Sequence, residues 1–558
     1  MLAKMFDYIR FTLYGLLVLV VMLLFQKWDA EHPKSIVTKT ETTTAANATS
    51  NYIPQVMPAA TSGATTATAE KPAALSNIAT GNIIHVETDV LSVDIDTLGG
   101  NITQVKLLKY SQEQHSTLPI VLLNNDPNTR YIAQSGLLGK VGPDTSKGQA
   151  NYTAEQTDYK FSGDQKTQQV KLYWQNSDGV KITKIYTFQR DNYEIDLTYQ
   201  IQNQSAQPWE GNLYLQLMRT NLPTPSKNGL VSLATYFGAA ISTPDKSFEK
   251  ITFKEMDGKN LNQAAMGGWA AMIQHYFVSA WVPDKSSTSQ YYTRVTPDGL
   301  YTVGMMGPSL TVKPGETVET QAKFYSGPEN AEKLEKVAPG LQLTIDYGWF
   351  WFISVIIFWM MQKIYNVIGN WGWSIILVTV IIKLLFYHLS AKSYRSMSGM
   401  KKLQPKIEAL KERFGSDKQK FTQATLELYK KEKVNPMSGC LPILVQIPVF
   451  IALYWVLVES VELRHAPFMF WIQDLSTKDP YYVLPVLMGI SMFLQQRLSP
   501  PPPDPMQAKV LMFMPVVFTA LFLNFPAGLM LYWFVNNLLS FAQQWFIMRS
   551  LDKPKKKS

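Results

Sequence analysis

Lys383 stands inside the apolar run Trp371–Leu389, six residues before its end. A charge at that depth costs about 2.5–3.5 kcal/mol on insertion scales, so such a group normally faces a partner or a hydrated cavity. No Asp or Glu occurs within the other long apolar runs to pair with it. Six helical residues are roughly 9 Å, within reach of a lysine that snorkels to the interface. Other polar groups accompany it. Gln446 sits between Pro442 and Pro448, the last apolar run carries Asn536, Asn537, Gln543 and Gln544, and Asn524 ends the run before it. Amides can serve as glue between helices. Together with an unpaired cation they point to a water-filled cavity whose chemistry is transient ion pairing and hydrogen bonding, not bond making.

The elements that must hold these groups are membrane spans. Of the 558 residues 46% are hydrophobic, and these concentrate after about residue 340. A crossing needs roughly 20 apolar residues. Residues 1–27 read as an uncleaved signal anchor: Phe11–Phe25 follows Lys4 and Arg10, and Gln26-Lys27-Trp28-Asp29 offers no small-residue cleavage site. Further spans are expected at 371–389, 441–458, 480–497, 509–526 and 528–548. The loop 392–433 carries twelve Lys/Arg against five Asp/Glu, which places it in the cytoplasm. Were residues 345–368 also to cross, that loop would be exported. They are therefore read as an amphipathic helix in the outer interface, with Trp349, Trp351, Phe352 and Trp359 in the headgroup belt. Six spans with both termini inside result, and the basic tail 549–558 agrees. The short runs Tyr481–Leu494 and Val510–Phe525 favour a locally thinned bilayer.

Residues 28–81, rich in Thr, Ala, Ser and Pro, read as a flexible tether. From 82 to 340 short alternating runs recur (Leu91–Ile95, Ile102–Leu108, Gln169–Trp174, Lys181–Phe188, Tyr193–Ile201, Val318–Phe324), as an antiparallel β-sandwich requires. A short helix over Pro328–Val337 leads out of it. His85, His115 and His275 are scattered without metal-ligand spacing, and no carboxylates form a readable acid/base couple. A scaffold or docking surface is preferred to an active site. One cysteine, Cys440, excludes an internal disulfide and a Cys-rich metal cluster. The net charge of +9 is too mild and dispersed for a nucleic-acid binder.

Within the basic loop, Met400, Leu403, Ile407, Leu410 and Phe414 form a heptad-like stripe. Pro405 kinks this helix or marks its start. Gly415 can close it, and Ser416 with Gln419 can form a capping box for a second helix over about 417–433, presenting Phe421, Ala424 and Leu428. The expectation is an antiparallel coiled-coil hairpin, with Lys401, Lys402, Lys406, Lys411 and Arg413 as its docking cations. A solvated loop that only fixes topology is the plainer alternative.

Seven in-order segments carry a family resemblance: Asp346-Tyr347-Gly348-Trp349, Gly369-Asn370-Trp371-Gly372, Leu403-Gln404-Pro405-Lys406-Ile407, Val434-Asn435-Pro436, Gly439-Cys440-Leu441-Pro442, Asp479-Pro480-Tyr481-Tyr482 and Phe525-Pro526-Ala527-Gly528-Leu529. With this topology the chain resembles the Oxa/Alb/YidC family of membrane-protein insertases, in its Gram-negative form. The resemblance implies a bacterial inner-membrane protein with a five-helix insertase core, a periplasmic β-supersandwich and a groove open to cytoplasm and lipid but closed outside. It implies no enzyme and no cofactor. The family's groove arginine falls on Lys383, a departure that loses the bidentate fork. Its substrate-contacting tyrosine pair falls on Tyr532 and Trp533, and the tryptophan usual before Phe-Pro is Asn524 here. Implied partners are nascent membrane proteins, the Sec translocon, and the ribosome and signal-recognition machinery meeting the hairpin and tail. Anionic lipids are the plainer partner of the tail. A nucleotide-driven step is not expected, because no G-x-x-x-x-G-K-[ST] loop occurs. The rivals are a secondary transporter or channel, which would show an inverted repeat, and an envelope enzyme acting through the β domain.

Overall fold

The computed structural model describes Pro54 and residues 80–146, 148–221, 235–414, 417–434, 441–499 and 505–552. The expected N-terminal anchor, nearly all of the tether and the tail beyond residue 552 lie outside these. The alternating runs fall in strands that bury one face. Val180–Gln189 alternates strictly between buried and outward positions, as period-two side chains of a half-buried strand must. Two sheets result, one of twelve strands and one of nine, paired almost entirely antiparallel. Their facing sides fuse into one core, with Trp269, Trp281, Phe324 and Tyr325 fully buried.

Polar ties also cross between the sheets. Trp281 Nε1 donates to Gln216 O at 3.1 Å, and Tyr186 Oη donates to Gly100 O at 2.7 Å. Lys184, fully buried, donates from Nζ to Gly99 O and Ser135 O at 3.0 and 2.9 Å. Burial pushes its ammonium down and the buried Asp144 carboxyl up, while each charge partly restores the other. A short helix α1 (Phe253–Gly258) carries a complete capping box between Thr252 and Glu255. A second, α2 (Ala331–Val337), is capped by Asn330.

The remaining α-helices of the described residues are α3 (Trp351–Ile368), α4 (Trp371–Leu385), α5 (Tyr387–Lys402), α6 (Gln404–Phe414), α7 (Lys418–Lys431), α8 (Leu441–Glu459), α9 (Val483–Leu498), α10 (Pro505–Phe522) and α11 (Ala527–Asp552). Several expected boundaries need correction. The run 371–389 is not one helix: it breaks at Phe386, and α4 and α5 are bent by 66°. The stripe beginning at Met400 is interrupted at Leu403, because Pro405 occupies the first turn of α6, where its missing N–H costs nothing. Asp417, not Ser416, caps α7, its side chain accepting from the N–H groups of Gln419 and Lys420. Helix α10 begins four residues earlier and ends four earlier than 509–526, and α11 runs past 548 into the basic tail.

By length and composition α3 alone among the described helices suffices to cross a membrane, and α4 with α5 suffices only as a bent pair. The apolar stretches Leu444–Glu459, Val483–Leu498 and Ala508–Phe522 are shorter. The 26 residues of α11 exceed a bilayer's thickness, but its amides dilute their hydropathy. The expected interfacial helix, α3, is thus itself of spanning length, and its placement rests on the charge of the loops.

The β domain is tied to the end of α8, to the turn after it and to the segment before α3. Arg464 donates to Ser111 O and Gln112 O at 2.8 and 2.9 Å, Asn330 to Glu462 at 2.8 Å, and Lys250 pairs with Asp346. His275 Nε2 meets Val458 O at 2.8 Å. The Glu329 carboxyl is fully enclosed beside this joint. Burial pushes it up to about 7, with the nearby Asp346 charge adding to the rise.

Candidate functional site: a polar row between apolar helices

Helix α11 is the organiser. With 3.6 residues per turn, Tyr532, Asn536 and Ser540 rise along one face at intervals of four. Three neighbouring elements meet that row or its edge. Gln446 Nε2 of α8 donates to Asn536 Oδ1 at 3.1 Å. Lys383 Nζ of α4 donates to Ser540 Oγ at 2.6 Å, and Ser540 in turn donates to Asn536 O at 2.7 Å. Gln543 Nε2 reaches Tyr387 O of α5 at 3.2 Å. On the adjoining face, Asn537 Nδ2 donates to Ser491 Oγ of α9 at 3.2 Å, and Gln544 Nε2 to Ser499 Oγ at 3.5 Å. Each polar group that would be costly in hydrocarbon is thereby given a partner.

Lys383 does not reach out to the interface: its side chain is only 9% exposed. It is packed against Ser540. The break at Phe386 explains how the charge is tolerated without a carboxylate. It puts Lys383 in the last turn of α4, where terminal carbonyls and the negative end of the helix dipole favour a cation. The row is drier at this end than at Gln446 and Asn536, which are both half-buried. Pro448 leaves the Leu444 carbonyl without its usual helical donor, one turn of α8 beside Gln446.

Tyr532 is buried with its ring 6.3 Å from Phe450. Trp533 turns the other way, into an aromatic cluster with Phe450 and Phe522 at 4.6 Å each and Phe518 at 6.0 Å. It joins α8, α10 and α11 and is not on the polar row. Asn524 is exposed in the turn before α11. Thirteen residues from Ala527 to Ser540 make about 20 Å of helix, so Asn524 stands at the opposite end from Lys383. Ser540, Ser491, Ser499 and the Tyr387 carbonyl were not legible as site groups, since serine in an apolar run carries no signal without its distant partner.

Apolar side chains are left uncovered on two of these helices: Leu444 and Ile447 of α8, and Val510, Leu511, Phe513, Val516 and Val517 of α10. A polar row together with bare apolar surfaces can hold a hydrophilic segment and an apolar one at the same time.

Of the five cations assigned to docking, Lys401 and Lys402 are exposed at the end of α5, and Lys411 and Arg413 are exposed on α6. Lys406 is engaged by Glu432 at 2.6 Å, which clips the start of α6 to the end of α7. Leu403 and Ile407 are buried.

Comparison with known proteins agrees with this architecture. Residues 83–360 match the model of the YidC periplasmic domain, and residues 363–556 match that of the 60Kd inner membrane protein. A curated membrane protein insertase YidC from Pseudomonas entomophila is 47% identical over 99% of this chain and 100% of its own length. One from Stutzerimonas stutzeri is 51% identical over 84% of each. A crystal structure of an active YidC insertase with its first transmembrane domain resolved aligns over 83% of this chain and 94% of its own, at 20% identity and a TM-score of 0.38. Relatives of this kind are named as insertases, not as enzymes. The chain belongs to the YidC family of inner-membrane protein insertases, with a β-rich periplasmic domain followed by a helical membrane region.

Proposed function

We propose that this protein inserts nascent membrane proteins into the bacterial inner membrane, and helps them fold and assemble, by way of the polar row on α11. A short hydrophilic tail, often acidic, enters from the cytoplasm and exchanges the bonds Gln446–Asn536 and Lys383–Ser540 for its own. Its apolar segment meanwhile partitions to lipid along the bare faces of α8 and α10. At roughly 25 cal/mol per Å² of apolar surface removed from water, that partitioning drives insertion without nucleotide. The half-buried Gln446–Asn536 end of the row is where the exchange begins.

The topology of this reading has six spans: the N-terminal anchor, the bent α4, and α8, α9, α10 and α11. Helix α3 lies in the outer interface, since a crossing there would export the basic segment containing α6 and α7. Both termini are cytoplasmic. Helices α6 and α7 form the hairpin that, with the tail, meets the ribosome and signal-recognition machinery, while the tail also attracts anionic lipid. The Sec translocon is a further partner in this reading.

The observation that carries this reading is the hydrogen-bonded pairing of Lys383 and Gln446 with one face of α11, together with exposed apolar surfaces. Its test is site-specific photocrosslinking to a ribosome-stalled nascent chain. Probes at positions 383, 446 and 532 are expected to capture the hydrophilic tail, and probes at 513 and 517 the apolar segment. Capture of the tail from 513 as efficiently as from 446 overturns the division of labour.

A further inference from the structure

Where the β domain meets the chain just after α8 there is a cleft of about 340 Å³, lined by Lys109, Tyr110, Tyr193, Lys333 and Arg464 with Asp191 and Glu462. Its cations come from three separate segments: the end of strand Asn101–Ser111, helix α2 and the turn after α8. Lys333 has no ion pair among the described residues; its Nζ lies 5.2 Å from the Tyr193 ring. The Arg464 side chain is pinned by its two bonds to Ser111 O and Gln112 O, and its guanidinium forms no other hydrogen bond among the described residues. The fixed guanidinium therefore keeps donors for something else. Opposite them both carboxyls are already engaged. Asp191 is largely exposed and already held by Lys109 at 2.6 Å. Glu462 is enclosed, accepts from Asn330, and has its carboxyl pushed up by burial. The half-buried Tyr110 ring, 6.4 Å from the buried Tyr193 ring, adds an apolar edge.

The ammonium of Lys333 and the spare guanidinium donors of Arg464, approaching from two segments, suit an anion with several acceptor oxygens, and the half-buried Tyr110 ring suits the C–H edge of a polyol. We propose that this cleft binds a phosphate ester carrying a glycerol-sized substituent. Two sources share that chemistry: the headgroup of an outer-leaflet phospholipid and a free polyol phosphate. The lipid source rests on the topology proposed above, which sets the cleft at the outer membrane surface. Binding itself does not, so failure of one reading leaves the other standing.

The test is calorimetric titration of the full chain in neutral detergent with dihexanoyl phosphatidylglycerol and, separately, with glycerol 3-phosphate. Saturable one-to-one binding of at least one is expected. Lys333→Gln should weaken it about tenfold, the loss expected for one charge-assisted contact. Lys333→Arg should keep it, and so should Lys254→Gln on the remote helix α1. Binding of the lipid alone assigns the headgroup, and equal binding of both assigns the free ester. Absence of saturable binding, or binding unchanged in Lys333→Gln, overturns the proposal.

Discussion

Lys383→Ala is expected to lower the initial insertion rate of substrates with acidic tails by about tenfold or more, with little effect on those whose tails are uncharged. The loss is the one charge-assisted contact that the groove offers an entering carboxylate, about 1.5–3 kcal/mol. Lys383→Arg should retain it, since the charge and the reach to Ser540 are kept. The variant should also be no less stable than the parent. The ammonium has no carboxylate partner among the described residues, so deleting it removes a burial cost and strands no buried anion. Insertion kinetics into vesicles, read beside thermal unfolding, separate the two effects. Equal rates across a panel of acidic and neutral tails would remove the charge from the mechanism.

The opposite balance holds in the β domain, where Lys184→Met should destabilise by about 2–6 kcal/mol, roughly 1–3 kcal/mol for each of the carbonyls of Gly99 and Ser135 that it leaves without this donor. Hydrogen exchange in strand Val180–Gln189 of the full chain reports this. Insertion should be largely retained, because Lys184 lies in the β domain and not on the polar row. A variant as well protected as the parent would mean that these two bonds do not hold the sheets together.

These two lysines show what sequence can and cannot convey. Lys383 was conspicuous because its surroundings are apolar, so any charge there demands a reason. Lys184 sits in a strand whose outward positions are polar except for Ile185, and nothing in Lys181–Phe188 distinguishes the lysine that points inward except its phase in the alternation. The strands Trp269–Gln274 and Phe277–Pro283 did not register at all: they are buried on both faces, and an unbroken apolar run has no period to read. The break at Phe386 has no local mark either, since Leu384, Leu385, Phe386 and Tyr387 are all compatible with a continuous helix. It arises from packing, and with it the placing of Lys383 at a helix end. By contrast, the start of α10 was readable and missed: Pro505 fits a first helical turn, where its absent N–H is not required. Asn524 was grouped with the other amides by composition, although the helical rise separates it from them.

The central claim is that the row on α11 is reached from the side bearing the basic hairpin and sealed from the side bearing the β domain. Asn536→Cys in a Cys440→Ser background puts a single thiol on that row. It can be challenged with a membrane-impermeant maleimide in sealed vesicles of either orientation. Modification is predicted when the hairpin side is exposed to reagent, and protection when the β-domain side is. Modification from the β-domain side, or protection from both with full reactivity after denaturation, would contradict the account.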